Sequence, residues 1–316
     1  MTFNGKTAIM FPGQGSQFVG MGREFLDADA EARQLLARAE EISGLPLSRL
    51  CLEGPEAELT RTLHLQPALT AVNLICWRAL AAAGVRPDYL VGHSLGEYAA
   101  LAAAGVLSYD DTIRLVTHRG SLMEREAAAN PGGMAAVVKL DIETVRDIVE
   151  AVADQGRLAV ANHNSAAQVV ISGDTGALEA ATGMVKDKGG KAIPLKVSGA
   201  WHSELIAGAV ADFSRLMAEL PVNPPQIPIL FNVTAAPEED PTEIRAIMAR
   251  QIASTVRWHE IVENLINRGV RCFIEVGPKN VLSGLVKKII PADSRCTVVP
   301  VENPQGLEQA VSELAR

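Results

Sequence analysis

The order of predicted strands and helices indicates an α/β fold, in which a large domain with a mostly parallel sheet carries a smaller inserted unit. Three observations support this prediction. Apolar runs of strand length alternate with amphipathic segments along most of the chain, and parallel strands need helical crossovers of this kind. A short apolar run over residues 89–92 stops at a Gly-x-Ser-x-Gly turn and continues as a helix. Residues 131–198 instead follow the order β-α-β-β-α-β.

The N-terminal part supplies two strands of the predicted parallel sheet, over residues 6–11 and 89–92. Pro67 is expected in the first turn of a helix, because that turn does not use the N–H that proline lacks. Ser108 and Asp111 form a pattern like a capping box at the start of a later helix. The other helices predicted in this part cover residues 24–42, 56–63, 67–83 and 98–104, and the third of them contains Pro67.

The inserted unit has the element order of a ferredoxin-like fold. Its strands and helices are expected at 134–140, 142–153, 158–161, 168–172, 177–188 and 191–197. We therefore assign residues 131–198 to a small ferredoxin-like subdomain, and residues 1–130 and 199–316 to the large domain. After the insertion the α/β pattern resumes, with strands at 229–233, 271–276 and 297–301 and helices at 204–217, 244–252, 258–268 and 281–289.

Composition and charge narrow the class of protein. The chain has 316 residues, 48% of them hydrophobic, which is enough for a sizeable core. Its net charge of −8 gives no overall basic field, so we expect no nucleic-acid partner. The start of the chain lacks the features of a signal peptide, and no apolar stretch is long enough to span a membrane. We therefore expect a cytoplasmic protein with no membrane partner.

The cysteines indicate neither a metal site nor a disulfide framework. They are scattered along the chain without the spacing typical of metal ligands, at Cys51, Cys76, Cys272 and Cys296. We expect them to act as small apolar side chains in a reducing compartment, and we expect no bound metal.

The Gly-x-Ser-x-Gly turn is the strongest candidate site. Between a strand and a helix this pattern is typical of the nucleophile elbow of α/β-hydrolase-like domains, which predicts Ser94 as a nucleophile. Gly92 and Gly96 would avoid clashes with the strand and the helix, and the helix N-terminus would favour negative charge at a reacting carbonyl. The same pattern also occurs in ordinary turns, where the serine only caps a helix.

A nucleophilic serine needs a base, and the sequence favours one of the six histidines. His93 adjoins Ser94, but neighbouring side chains at an elbow point apart, so His93 would be a poor base. His202 follows the end of the small subdomain, and pockets form in clefts between lobes, so His202 is the best candidate. The remaining histidines are expected to be structural or on the surface: His64, His118, His163 and His259.

The residues alone do not decide whether two further features, a loop with two glycines and a set of arginines, contact a ligand. The loop over residues 12–17 has two glycines among small polar residues, so its backbone could approach a ligand, but an ordinary connecting turn fits equally well. The helix that follows Ser108 carries Arg114, Arg119 and Arg125. Each of these arginines could form a surface ion pair or contact a ligand, and the sequence does not choose among them.

Four blocks of residues, in this order along the chain, match a known family. The chain resembles the malonyl-CoA:acyl carrier protein transacylases, which belong to the acyltransferase domain family, along essentially its whole length. This resemblance implies the two-lobed build already expected. The blocks are Phe11-Pro12-Gly13-Gln14-Gly15-Ser16-Gln17, Gly92-His93-Ser94-Leu95-Gly96-Glu97-Tyr98, Val160-Ala161-Asn162-His163-Asn164 through Val170-Ile171-Ser172-Gly173, and Phe273-Ile274-Glu275-Val276-Gly277-Pro278.

The resemblance implies roles for particular residues. Ser94 would attack the thioester carbonyl of malonyl-CoA, and His202 would take the serine proton and then protonate the departing thiolate. The backbone amides of Gln14 and Leu95 would form the oxyanion hole. Arg119 would bind the malonyl carboxylate, for which a planar guanidinium is better suited than a lysine.

Three more positions have a role implied in the same way. The main-chain carbonyl of Gln251 would orient His202 where other serine enzymes use a carboxylate, and Gln66 would line the acyl pocket. The segment Gly199-Ala200-Trp201 precedes the base, and in the family this segment helps to set the choice of acyl group. It resembles the pattern of malonyl-selective relatives, although a smaller aromatic residue is expected where Trp201 stands.

The resemblance also implies the reaction and its partners. Malonyl-CoA would load Ser94, CoA would leave, and the phosphopantetheine thiol of acyl carrier protein would take the malonyl group in a ping-pong reaction without a further cofactor. Such a step serves fatty acid or polyketide biosynthesis. Because the carrier protein and this chain are both acidic, docking needs a local basic patch. The candidates are Lys186, Lys188, Lys191 and Lys196, or Lys287 and Lys288.

Two other functions remain open for these residues. An acyl-thioester hydrolase with a proofreading role would use Ser94 and His202 equally well, although Arg119 argues weakly against it. A non-catalytic module that binds the carrier protein would need neither residue, so the presence of both disfavours that alternative.

Overall fold

The computed structural model of the protein describes residues 5–292 and 294–315. The expectation about a signal peptide rests in part on residues 1–4, which lie outside the described residues. Within those two ranges, no helix is both long and apolar enough to cross a membrane. The strands are β1 (Lys6–Phe11), β2 (Tyr89–Gly92), β3 (Gly133–Val138), β4 (Leu158–Ser165), β5 (Gln168–Gly173), β6 (Lys191–Pro194), β7 (Val270–Val276) and β8 (Thr297–Val301).

The helices pack on both sheets and connect their strands. They are α1 (Arg23–Ala28), α2 (Ala30–Ser43), α3 (Leu47–Leu52), α4 (Glu56–Leu59), α5 (Thr62–Ala82), α6 (Gly96–Ala103), α7 (Tyr109–Ala129), α8 (Ile142–Ala151), α9 (Thr175–Asp187), α10 (Gly208–Glu219), α11 (Pro241–Gln251), α12 (Trp258–Asn267), α13 (Val281–Ile289) and α14 (Pro304–Leu314).

A parallel sheet with the strand order β2-β1-β7-β8 forms the centre of the large domain, which confirms the predicted α/β class. Its strand β1 is buried from Thr7 to Phe11, as an inner strand covered on both faces must be. Phe11 pairs with Gly92, so β1 and β2 end side by side. The loop after β1 and the serine turn after β2 are therefore neighbours at one edge of the sheet.

A second, antiparallel sheet lies between residues 133 and 194, with the strand order β4-β5-β3-β6. The elements of this small lobe (residues 131–198) follow the predicted sequence of strands and helices. Helices α8 and α9 pack on the sheet around a hydrophobic cluster of their own, which includes Val137, Val145, Ile171 and Val185.

Several predicted elements differ from the structure. The helix expected over 24–42 is two helices, because Asp29 adopts an extended conformation and its side chain accepts a hydrogen bond from Glu31 N at the start of α2. Pro67 lies inside α5, which already begins at Thr62. The backbone hydrogen bond that proline removes costs about 3 kcal/mol. Burial of α5 on most of its sides outweighs that loss.

Other differences concern the ends of elements. The strand expected over 229–233 is reduced to single bridging contacts, of Ile229 with Leu90 and of Leu230 with Pro237. The helix expected over 204–217 is a 3₁₀ turn followed by α10. Helix 56–63 is limited to α4, strand 191–197 ends at Pro194, and α3 and α14 have no counterpart among the predicted elements. The capping pattern at Ser108 is confirmed, since its Oγ accepts a hydrogen bond from Asp111 N at 3.0 Å.

The two glycines of the serine turn are required by close packing. An added Cβ at Gly92 would lie 2.0 Å from the carbonyl carbon of Gly96, and one at Gly96 would lie 1.9 Å from Phe11 O. Neither distance leaves room for a methyl group. The turn therefore brings β1, β2 and α6 closer together than any residue with a side chain would allow.

Gly96→Ala is expected to lower the free energy of unfolding by about 3 kcal/mol or more, because rigid backbone faces the new methyl group. The matched control is Gly183→Ala in α9, where an added Cβ would have no atom within 4 Å. That change should stabilise the protein by roughly 0.5–1 kcal/mol, since alanine favours a helix interior. Urea unfolding measures both values. Equal effects of the two changes would contradict the packing described for the serine turn.

Candidate active site

Ser94 stands at the sharp turn between β2 and α6. Its φ of 51° lies in the left-handed region, which residues other than glycine rarely adopt. The Ser94 N–H donates to Asn232 Oδ1 at 2.7 Å, and this bond holds the turn in place. The strained conformation places the hydroxyl at the N-terminus of α6, as the elbow pattern predicted.

The structure brings His202 onto Ser94. The serine Oγ and the imidazole Nε2 are 2.7 Å apart, although 108 positions separate the two residues in the chain. On the other side of the ring, Nδ1 lies 3.1 Å from Gln251 O and 3.0 Å from Ser254 O. Carbonyl oxygens only accept hydrogen bonds, so Nδ1 carries the proton and Nε2 accepts the serine O–H. This arrangement would allow His202 to act as a base for Ser94.

The surroundings of His202 keep the imidazole neutral. Burial is the main cause that lowers its pKa, to about 3, and the positive charge of Arg119 and the neighbouring His93 lower it further. The hydrogen bonds to Gln251 O and Ser254 O act in the opposite direction. The imidazole therefore stays neutral over the whole neutral and mildly acidic range.

The loop after β1 packs directly on the serine turn. An added Cβ at Gly13 would lie 2.3 Å from His93 O and 3.6 Å from Leu95 N. The Asn73 side chain fixes the loop by donating to Pro12 O at 2.9 Å. Gln14 and Leu95 both line the cavity at Ser94. Within the described part of the chain, neither of their backbone amides takes part in a hydrogen bond, so both could donate to an oxygen bound at Ser94.

A cavity of about 90 Å³ opens beside Ser94, and both lobes contribute to its walls. Arg119 lines it with 1% of its surface exposed, and its guanidinium carbon lies 5.2 Å from the centre of the Tyr98 ring. Arg119 Nη2 donates to Gln251 Oε1 at 3.1 Å, whereas Nε has no partner among the described residues. The other lining residues are Gln14, His93, Leu95, Met123, Met134, Asn162, Leu195, Val197, Trp201 and His202.

Two further residues considered in the sequence have their side chains bonded away from Ser94. Gln66 is buried behind the cavity wall, where its Nε2 donates to Met123 Sδ at 3.1 Å, and it is not itself among the lining residues. His93 lines the cavity, but its Nε2 lies 2.8 Å from Asn164 Oδ1, whereas Ser94 Oγ is bonded to His202.

Glu97 and Asn232 are two residues of the site that were not predicted from the sequence. Glu97 is fully buried under the serine turn, and burial raises its pKa to about 8 against the lowering effects of hydrogen bonds from Asn232 and Gln251. Asn232 lies far along the chain, and its side chain forms hydrogen bonds with the backbone of Ser94 and Gly92 in the turn. A charged residue in the otherwise apolar start of α6 was a local signal for Glu97. Asn232 had no local signal.

A serine at a nucleophile elbow, bonded to a neutral histidine and sharing a cavity with two residues whose amides have no partner in the described part of the chain, is typical of serine enzymes that transfer acyl groups. The family model of the acyl transferase domain matches residues 9–314 of this chain. The chain belongs to this family and is an acyltransferase.

Named relatives agree with this assignment. The malonyl CoA-acyl carrier protein transacylase of Bacillus subtilis (strain 168) is 39% identical over 98% of this chain and 97% of its own length. The crystal structure of an acyl carrier protein S-malonyltransferase from Vibrio cholerae has a TM-score of 0.92 at 39% identity, covering 96% of this chain and 99% of that one. A malonyl-transacylase in complex with its type II PKS acyl-carrier protein has a TM-score of 0.94 at 35% identity, covering 98% and 99%.

The pH dependence of serine labelling tests the state of His202. A base with the ordinary histidine pKa of about 6.5 would lose about tenfold in rate between roughly pH 7.5 and 5.5. Because the pKa of His202 is lowered, its proton-accepting form persists below that range. We therefore expect labelling of Ser94 by a sulfonyl fluoride to slow less than about twofold over the same interval. Ser94→Ala is the control for labelling elsewhere. A rate midpoint near pH 6.5 would contradict this description.

Proposed function

We propose that this chain transfers the malonyl group from malonyl-CoA to the phosphopantetheine thiol of acyl carrier protein by a ping-pong reaction through malonyl-Ser94. One observation carries the proposal: a buried arginine lines the cavity beside Ser94 and His202, and no described carboxylate is hydrogen-bonded to it. A buried cation without an ionic partner is costly. An acyl group that carries its own carboxylate would supply that partner. The names of the relatives support the same choice.

In the first half-reaction, Ser94 Oγ attacks the thioester carbonyl while its proton passes to His202 Nε2. The amides of Gln14 and Leu95 donate to the oxyanion that forms. Collapse of this intermediate breaks the carbon–sulfur bond, and His202 returns the proton to the departing CoA thiolate. The malonyl group is then an ester on Ser94.

The second half-reaction reverses these roles. His202 takes the proton of the phosphopantetheine thiol, and the sulfur attacks the ester carbonyl of malonyl-Ser94. The same amides hold the second oxyanion, and the proton returns to Ser94 Oγ as the ester bond breaks. The coordinates support one base for both halves, because His202 Nε2 faces Ser94 while two carbonyls hold its Nδ1.

Arg119 is proposed to bind the malonyl carboxylate through its Nε and guanidinium edge, since a planar fork matches two carboxylate oxygens. The carbonyl of Gln251 orients His202, as expected from the family. For Gln66 we propose an indirect role. It lies behind the acyl pocket and holds Met123, whose side chain forms part of the wall.

For docking of the acidic carrier protein, the small-lobe lysines are favoured over Lys287 and Lys288. Lys196 is exposed and stands between Leu195 and Val197, which both line the cavity. Lys191, on the neighbouring edge strand β6, is exposed as well. A positive patch at the mouth of the cavity would complement the carrier protein and guide its prosthetic arm towards Ser94. The relative solved with its acyl-carrier protein supports this partner.

We also propose a fold class for each of the two domains. The nucleophile elbow on a parallel sheet supports an α/β-hydrolase-like large domain over 1–130 and 199–316. The strand order β4-β5-β3-β6 supports a ferredoxin-like subdomain over 131–198. A cytoplasmic location, a role in fatty acid or polyketide biosynthesis and the need for no further cofactor stay predictions.

Ser94→Ala should abolish a malonyl adduct that intact-protein mass spectrometry detects after incubation of the wild type with malonyl-CoA, because the change removes the only proposed nucleophile. Addition of holo acyl carrier protein to the loaded wild type should move the mass increment onto the carrier. An adduct on the Ser94→Ala variant would show that Ser94 is not the nucleophile. Release of free malonate in place of transfer would support the hydrolase alternative.

Arg119→Ala should lower kcat/KM for malonyl-CoA by about 100-fold, because it removes charge-assisted hydrogen bonds in a buried site. Activity with acetyl-CoA, which has no carboxylate, should be retained or rise. The matched control is Arg114→Ala on the same helix, since Arg114 is half exposed and forms an ion pair with Asp111 three residues earlier. Unchanged preference for malonyl-CoA in Arg119→Ala would remove this residue from its proposed role.

A further inference from the structure

A buried carboxylate lies directly beneath the serine turn. Glu97 has no exposed surface, and its two oxygens accept hydrogen bonds from two different segments of the large domain. Oε1 accepts from the Asn232 backbone N–H at 2.5 Å, and Oε2 accepts from Gln251 Nε2 at 3.0 Å. Glu97 does not line the cavity, so its hydrogen bonds reach the reacting groups only through these two partners.

Asn232 connects Glu97 to the turn itself. Its side-chain Oδ1 accepts the Ser94 N–H at 2.7 Å, and its Nδ2 donates to Gly92 O at 2.7 Å. One amide thus bonds to the backbone on both sides of His93. The backbone of Asn232 is held in turn by Glu97 Oε1. The Asn232 side chain therefore acts as a clamp on the serine turn. The strained conformation of Ser94 depends on this clamp, and the buried Glu97 side chain sets its position.

Gln251 connects Glu97 to the arginine. Its Oε1 accepts from Arg119 Nη2 at 3.1 Å, while its Nε2 donates to Ser94 O at 2.8 Å and to Glu97. A guanidinium can only donate, so the Gln251 oxygen must face Arg119 and its NH₂ group must face Glu97. In this orientation the oxygen and the NH₂ group of the Gln251 amide both form hydrogen bonds. With the amide flipped, its NH₂ group would face the donors of Arg119.

The amide between Glu97 and Arg119 also has an electrostatic consequence. The positive charge of Arg119 lowers the pKa of Glu97, but burial outweighs this effect, and among the described residues no carboxyl oxygen is bonded directly to the guanidinium. A direct ion pair would have to be broken before a substrate carboxylate could bind. With Gln251 in between, Arg119 is oriented by the network, and its Nε has no hydrogen-bond partner among the residues that the structure describes.

We propose that Glu97 is a positioning residue for malonyl transfer, which orients Arg119 towards the acyl group through the Gln251 side chain and steadies the serine turn through Asn232. This inference rests on the proposed function, because it needs Arg119 to bind the malonyl carboxylate. It predicts that a change at Glu97 alters acyl preference, although Glu97 never touches substrate.

Glu97→Gln is the informative substitution. The side-chain amide of the new glutamine has one acceptor oxygen. That oxygen must face the backbone N–H of Asn232, because this N–H is fixed in place. The new NH₂ group then faces the NH₂ group of Gln251, and two donors cannot bond. Rotation of the Gln251 amide would relieve that conflict, but it would turn a donor towards Arg119. Either way Arg119 loses its orientation, while the clamp on the serine turn and the carbonyls that hold His202 remain.

The experiment compares kcat/KM for malonyl-CoA and acetyl-CoA in the wild type, Glu97→Gln, Arg119→Ala and the double variant. We expect Glu97→Gln to lower the malonyl value at least about tenfold and the acetyl value less than about twofold. In the Arg119→Ala background the added Glu97→Gln change should have little further effect on either substrate, because residues that act through one contact are not additive.

Glu275→Gln is the matched control. Glu275 is another fully buried glutamate, and its oxygens accept backbone N–H groups of Leu282 and Ser283 at 2.9 and 2.7 Å at the start of α13. The same chemical change there should lower stability without changing the ratio of malonyl to acetyl activity. Thermal unfolding of both variants separates loss of fold from loss of positioning.

Glu97→Asp provides a second variant if Glu97→Gln does not fold, because a side chain shorter by one methylene cannot reach both partners. It carries the same expected loss of malonyl preference. Equal losses for both substrates, or an unchanged ratio in a folded variant, would overturn the role of Glu97. Failure of the wild type to load malonyl on Ser94 would instead overturn the proposed function.

Discussion

The hydrogen bond between Ser94 and His202 is the contact on which the rest of the site depends. It joins residues 108 positions apart at 2.7 Å, and both adopt a left-handed backbone conformation to reach each other. Such conformations persist only where the surroundings determine them. Here the surroundings are the glycine packing of the turn, the Asn232 clamp, and the carbonyls of Gln251 and Ser254. The fold therefore supplies the geometry, and the two side chains supply the chemistry.

Charge in the site is arranged so that each ionisable group keeps the form it needs. His202 is neutral because it is buried and because Arg119 lies nearby. Arg119 is bonded to Glu97 only through the Gln251 amide, and its Nε has no partner among the described residues, which leaves that N–H for a ligand. A carboxylate bound at Arg119 would offset the positive field and raise the pKa of His202. The contact that selects a charged acyl group would thus also strengthen the base.

The sequence was sufficient for the parts of the site that have a local signal. The elbow pattern predicted Ser94, the position after the insertion favoured His202, and alternation of strands and helices predicted the sheet. The choice of Arg119 among three arginines, and of the Gln251 carbonyl, came only from the resemblance to a family. Asn232 and Glu97 could not be placed together in advance, because 135 positions separate them and only the folded chain joins them. The helix start predicted at Pro67 was wrong, because burial of α5 outweighed the preference of proline for the first turn of a helix.

A crystal structure of the chain loaded with malonyl-CoA in the absence of carrier protein would show how Ser94, the two amides and Arg119 bind the acyl group. We expect an ester on Ser94 whose carbonyl oxygen lies about 3 Å from the amides of both Gln14 and Leu95. The far carboxylate should lie against the guanidinium of Arg119. A carbonyl oxygen turned away from those amides, or a carboxylate that points out of the cavity, would contradict this expectation.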